Sequence, residues 1–91
     1  MEFEFDPAKD EANLFKHRLR LKFGRRVFEQ DEHIVVSSHR QIDGEERSKA
    51  IGMIDGKLYT VVHVWRGDVV RLISVRRSNA GEQRDYDRHT R

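Results

Sequence analysis

The sequence predicts an α+β fold: an antiparallel β-meander packed against N-terminal helices, with a further helix at the C-terminus. Three observations carry this. Apolar residues recur at helical spacing behind an Asp6-Pro7 start. Runs of alternating, β-branched residues follow, punctuated by Asp-Gly and Gly-Asp pairs. Asn79 and Glu82 then stand at the spacing of a helix capping box. Ninety-one residues are enough for one domain, spanning 1–91, and not for two.

Each element has its own reason. Glu2 to Phe5 alternates polar and apolar, which makes a short half-buried strand with Phe3 and Phe5 on one face. Asp6 offers an N-cap acceptor, and Pro7 suits the first helical position, where its missing N–H costs nothing. Ala8, Ala12, Phe15 and Leu19 form the expected buried stripe. Lys9, Asn13, Lys16, His17 and Arg20 gather on another face, which reads first as solvated surface and, as the functional alternative, as a phosphate-contacting stripe. A shorter helix is expected over 21–29, with Leu21, Val27 and Phe28 inward. Gly24 weakens it by about 1 kcal/mol relative to Ala, which fits a close approach by another backbone.

Residues 33–37 read as a strand, 38–46 as a polar loop with an Asp43-Gly44 turn, and 47–54 as the next strand. Asp55-Gly56 between apolar runs is the strongest hairpin signal in the chain. Residues 57–66 return, Gly67-Asp68 turns again, and 69–77 complete the meander. Asn79 caps the last helix, whose one large docking residue is Tyr86. Helices grouped on one face leave the other open to solvent or a partner.

Composition excludes several classes. The chain has no cysteine, so disulfides, thiolate nucleophiles and zinc-thiolate sites are out, and a reducing cytoplasm is the expected location. No run approaches the ~20 apolar residues of a membrane span, and the acidic opening is not a signal peptide. Net charge is +2, but from Leu58 onward seven Arg and no Lys face four acids. Residues 58–79 set Arg66, Arg71, Arg76 and Arg77 into an apolar sheet, with His63 among them, which points to an anionic partner.

The chemistry follows from what is left. There is no Gly-rich phosphate loop, no nucleophile elbow, and no histidine pair or acid pattern suited to a metal, so neither metal nor cofactor is expected. Arg, Lys, His, Glu and Tyr on a small sheet suit metal-free RNA cleavage, in which the ribose 2′-OH attacks the adjacent phosphate. That reaction needs a base, an acid for the leaving oxygen, and cations for the phosphorane. Arginine holds phosphate oxygens bidentately, and histidine transfers protons near neutral pH. The candidate catalytic residues are His63, Arg47, Arg71 and Arg76; candidate RNA contacts are Lys9, Lys16, His17 and Arg66. His63 reads equally as a core histidine, and Arg47 as a local ion pair with Glu45 or Glu46. A regular strand sends Arg71 and Arg76 to opposite faces, so either a bulge reunites them or one of them holds the fold.

Taken in order, the pieces resemble the BrnT toxins of bacterial type II toxin–antitoxin systems, within the RelE-like ribonuclease superfamily. The likeness runs through Phe5-Asp6-Pro7-Ala8-Lys9, Asn13, Lys16-His17, Arg26-Val27-Phe28 and Gly44-Glu45-Glu46-Arg47 with Ile51-Gly52. It continues through Val61-Val62-His63, Arg66-Gly67, Arg71 to Arg76, and Asn79, Glu82, Arg84 and Tyr86. Arg18 stands where the family usually has Gly, and Gly24 where it usually has Ala. The resemblance implies a RelE-like fold, an endoribonuclease that inhibits translation, and neutralisation by a BrnA-type ribbon-helix-helix antitoxin in a heterotetramer. Operator DNA would be met through the antitoxin alone. The rival readings are a non-catalytic, degenerate toxin that pairs with antitoxin or acts as a co-repressor, and a plain adaptor domain whose arginines sit in surface ion pairs.

Overall fold

The computed structural model describes residues 1–42 and 45–90, the side chains of residues 39–42 and 45 aside. It is α+β. The strands are β1 (Glu2–Glu4), β2 (Ile34–Ile42), β3 (Glu45–Ile54), β4 (Lys57–Arg66) and β5 (Val69–Arg77). They form one mixed sheet in the order β1-β5-β4-β3-β2, with β1 parallel to β5 and the rest antiparallel. The helices are α1 (Pro7–His17), α2 (Gly24–Phe28), entered through a 3-10 turn at Leu21–Phe23, and α3 (Ala80–Thr90). Among the described residues no helix is long and apolar enough to cross a membrane.

The local signals act as their chemistry requires. Asp6 accepts the Ala8 N–H at 2.9 Å with Pro7 at the first helical position. Asp55 and Gly56 both take positive φ, 52° and 80°, the mirror-image turn that matches strand twist. Asn79 and Glu82 exchange hydrogen bonds at 2.9 Å in each direction, closing the capping box of α3. The expected turn at Asp43-Gly44 lies outside the described residues. The polar stretch around it is less of a loop than expected: β2 runs to Ile42 and β3 begins at Glu45, pairing Gln41 with Glu46 and Ile42 with Glu45. Polar residues suffice there because an outer two-stranded ribbon needs ladder hydrogen bonds more than an apolar face.

Helix α1 corrects the sequence reading. Ala8 and Ala12 are exposed and the Phe15 side chain is 82% exposed, while Asp10 and Asn13 are buried. The reason is the surface α1 meets. Strand β1 pairs with β5 only over residues 69–71, which leaves the rest of that edge with backbone groups to satisfy. Asn13 satisfies them as a neighbouring strand would: its Nδ2 donates to the Val75 carbonyl at 2.9 Å and its Oδ1 accepts the Val75 N–H at 3.0 Å. Asp10 takes the Leu21 N–H at 2.7 Å and pairs with Arg20 at 2.9 Å. The hydrogen bond from Leu21 lowers its pKa, burial works against this, and Arg20 adds to the lowering. A polar edge selects a polar helix face.

The two faces of the sheet carry separate cores. Leu21, Val27, Ala50, Val61, Leu72 and Val75 close one against α2 and its 3-10 turn. A Cβ on Gly24 would lie 3.0 Å from Val75 and 3.1 Å from Val61, so the close approach there is by side chains rather than by the expected backbone. On the other face Ile51, Leu58 and Tyr86 pack together. This face is therefore not fully open: α3 covers one end of it through Tyr86.

Candidate functional site

Strand β5 decides what faces what. Its register with β4 runs Val62 to Ser74 and then His63 to Leu72, so Ile73 is an extra residue with no partner, a β-bulge. Arg76 lies opposite Thr60 and Arg71 opposite Val64. Thr60 and Val64 are an even number of residues apart on a regular strand and share a face, so Arg71 and Arg76 share it too. The bulge reunites the two arginines on the face carrying α3.

A groove of about 380 Å³ lies on that face beside α3. Arg47, Lys49 and Arg76 line it together with Ser74, Asn79 and Glu82. Glu82 organises it. Its side chain is 1% exposed, and it meets Arg76 through two hydrogen bonds of 2.6 and 2.7 Å, Lys49 at 3.2 Å and the Thr60 hydroxyl at 2.9 Å. Burial by itself would raise its pKa. The hydrogen bonds from Arg76, the Asn79 N–H and Thr60 outweigh this and hold the carboxyl at about 2. The Arg76 pKa is raised in turn, chiefly by its hydrogen bonds to Glu82. Glu82 is thus a fixed anion under two cations, and the groove keeps three cations against one carboxylate. Arg47 has no carboxylate in ion-pair range among the described residues.

A second hollow, of about 210 Å³, adjoins the first through the shared residues Ile73 and Ser74. Lys9, Lys16 and His17 line it from α1, beside Asn13. The bulge residue and its neighbour thus join the two hollows into one basic track running from α1 across β5 to β3.

The structure therefore brings together Arg47 and Arg76 in the groove, and Lys9, Lys16 and His17 beside it. Arg71 shares the face but lines neither hollow; it pairs with Glu4 at 2.8 Å and ties β5 to β1. Arg66 ends β4, exposed, and lines neither hollow. His63 is the main correction. It lies on the α2 face, 0% exposed, with the Phe28 ring edge-on at 4.9 Å, and its Nε2 is buried without a partner. Nδ1 reaches the Val61 carbonyl at 3.2 Å. Burial lowers its pKa, only partly offset by that contact, so the ring is neutral in the core. Alternation put His63 with Tyr59 and Val61; that set is the one α2 covers.

Lys49 and Glu82 belong to the groove and were not among the expected site residues. Lys49 carried a signal, since it alternates with Arg47 on one strand face. Glu82 carried one of a different kind, as a capping residue, and nothing local shows that a cap also serves as the counter-ion of a residue on another element.

No match is found among curated proteins. A family model described as the ribonuclease toxin, BrnT, of type II toxin–antitoxin systems matches residues 5–82, which take in all five helical and strand elements between Asp6 and Arg77 that line the track, and the capping box of α3. Over that span of a 91-residue chain, the protein belongs to the BrnT family of ribonuclease toxins, which work with an antitoxin partner and an RNA target.

Proposed function

We propose that this chain is a RelE-like, metal-independent endoribonuclease that cuts RNA in the basic track, and that a BrnA-type antitoxin neutralises it. The observation that carries this reading is the groove itself: Arg47, Lys49 and Arg76 converge beside α3, with the hollow bearing Lys9, Lys16 and His17 opening onto it. In the proposed reaction the phosphate oxygens are held by Arg76 and Arg47, and the charge that develops on the phosphorane is offset by Lys49 and the two guanidiniums. Glu82 fixes Arg76 and Lys49 in place beforehand, so little reorganisation is needed in the transition state. With a pKa of about 2, Glu82 is too weak a base to take a proton near neutrality and holds no proton there to give. That role passes from His63 to His17, the imidazole that lines the track among the described side chains. The donor set supports a metal-independent route, because the groove's carboxylate is already engaged by two cations.

Induction of the chain without its antitoxin should arrest growth and fragment transcripts. Normal growth with intact transcripts would reject the reading. One observation favours the rival, a non-catalytic module that pairs with antitoxin: Arg76 and Arg71 are both already held by carboxylates. Purified protein that binds RNA or antitoxin and leaves RNA whole would decide for the rival.

A further inference from the structure

We propose that the trough between α1 and α2 receives an acidic, amphipathic segment of the antitoxin. The inference rests on the protein partner that family membership implies, and not on the assignment of the RNA track. Leu14, Leu19 and Phe23 floor a groove of about 490 Å³. Arg18, Lys22 and Arg25 stand on its rim, which carries one carboxylate, Glu29. Two further rim cations are already neutralised, Arg20 by Asp10 and Glu11 and Arg26 by Asp55. Among the described residues, Arg18, Lys22 and Arg25 have no carboxylate within ion-pair range. The trough continues past Lys22 and Arg25 into a hollow of about 510 Å³ lined by Met1, Phe3 and Phe5, with Glu2 at its edge. Phe15 lies beside this surface without lining it: the residue is 82% exposed and stands about 60° around α1 from Arg18 at the helical repeat, and as far from Ala12 on the other side.

An apolar floor under a rim of uncompensated cations is complementary to a peptide with one apolar face and acidic flanks. RNA fits it poorly. The trough is floored by the aliphatic Leu14 and Leu19, and two of the rings along it are covered, with the Arg25 guanidinium 5.5 Å over Phe3 and that of Arg26 5.4 Å over Phe23. A second copy of this chain fits it poorly as well, because α3 balances Asp85 and Asp87 against Arg84 and Arg88 and has already buried its large apolar residue, Tyr86. The trough and the RNA track lie on either side of α1, with Leu14 and Arg18 lining one and Lys9, Lys16 and His17 the other. The antitoxin would therefore grip α1 from the side away from the RNA.

The test measures the affinity of the full chain for its purified cognate antitoxin, alongside RNA cleavage. Lys22→Glu with Arg25→Glu should weaken antitoxin binding at least tenfold and leave RNA cleavage within twofold. Phe15→Ser, at a ring that stands in solvent and holds nothing in the fold, should weaken the same binding severalfold, and it decides the matter should the charge variant fail to fold. Antitoxin affinity that is unchanged overturns the proposal. So does a loss confined to RNA affinity, which would make the trough a nucleic-acid surface, or to self-association, which would make it a contact between copies. Failure of wild-type protein to cut RNA would reject the RNA reading and leave this binding test intact.

Discussion

At the scale of single residues, Glu82 and His63 show two ways of burying an ionisable group. Glu82 is buried charged, because Arg76, Lys49, Thr60 and the Asn79 N–H replace its water. His63 is buried neutral, because nothing replaces it at Nε2. Both groups have a lowered pKa in the folded chain. The unfolded chain therefore binds more protons, and stability falls with acidification: first below about pH 6.5 as His63 would protonate in the unfolded state, and again below about pH 4.5 as Glu82 would. His63→Leu should flatten the first of these phases in urea titrations between pH 7 and 5, and should leave RNA cleavage intact. An unchanged slope, or lost cleavage, would move His63 out of the passive core. Arg76→Ala is a poor probe by comparison, since it strips Glu82 of its main partner and costs stability as well, on the order of 3–5 kcal/mol for a broken buried pair.

At the scale of elements, two irregular contacts place the site. The Ile73 bulge turns Arg71 and Arg76 to one face and joins the two hollows. The Asn13 amide sets α1 against the β5 edge, and so sets Lys9, Lys16 and His17 beside the groove. Asn13 also donates to the Leu19 carbonyl at 2.8 Å, closing the turn after α1. Asn13→Ala removes these bonds and leaves buried backbone groups of Val75 unsatisfied; it should cost about 2–4 kcal/mol and lower Tm by the order of 10 °C or more. A loss below about 0.5 kcal/mol, the range of ordinary surface changes, would mean that α1 is held by something else. The sequence showed these elements unevenly. The caps and tight turns were legible, because Asp6-Pro7, Asp55-Gly56 and Asn79 with Glu82 satisfy backbone groups a few residues away. The orientation of α1 was not. Helical periodicity selects the apolar face for burial, whereas here the neighbour is a strand edge that asks for an amide.

At the scale of the whole molecule, the sheet separates two tasks. One face is sealed by α2 and carries a core with a neutral histidine in it; the other is half covered by α3 and carries cations anchored on Glu82. Residue type singled out Arg47 and Arg76 as candidate phosphate contacts, because arginine set in a strand seldom lacks an anion. That both open onto one groove with Lys49 depends on strand register and on α3 folding back over β3 and β4, which no local pattern contains. The most direct test is the rate of cleavage of labelled RNA in EDTA by antitoxin-free protein, comparing wild type with Arg47→Ala. Arg47 is half-buried, has no carboxylate partner among the described residues and takes no part in the core. Its removal should lower the rate by roughly 10- to 100-fold, the loss of one charge-assisted contact to phosphate, with stability held to within about 0.5 kcal/mol. Cleavage by Arg47→Ala at the wild-type rate, or no cleavage by wild type until a divalent metal is added, would contradict the account.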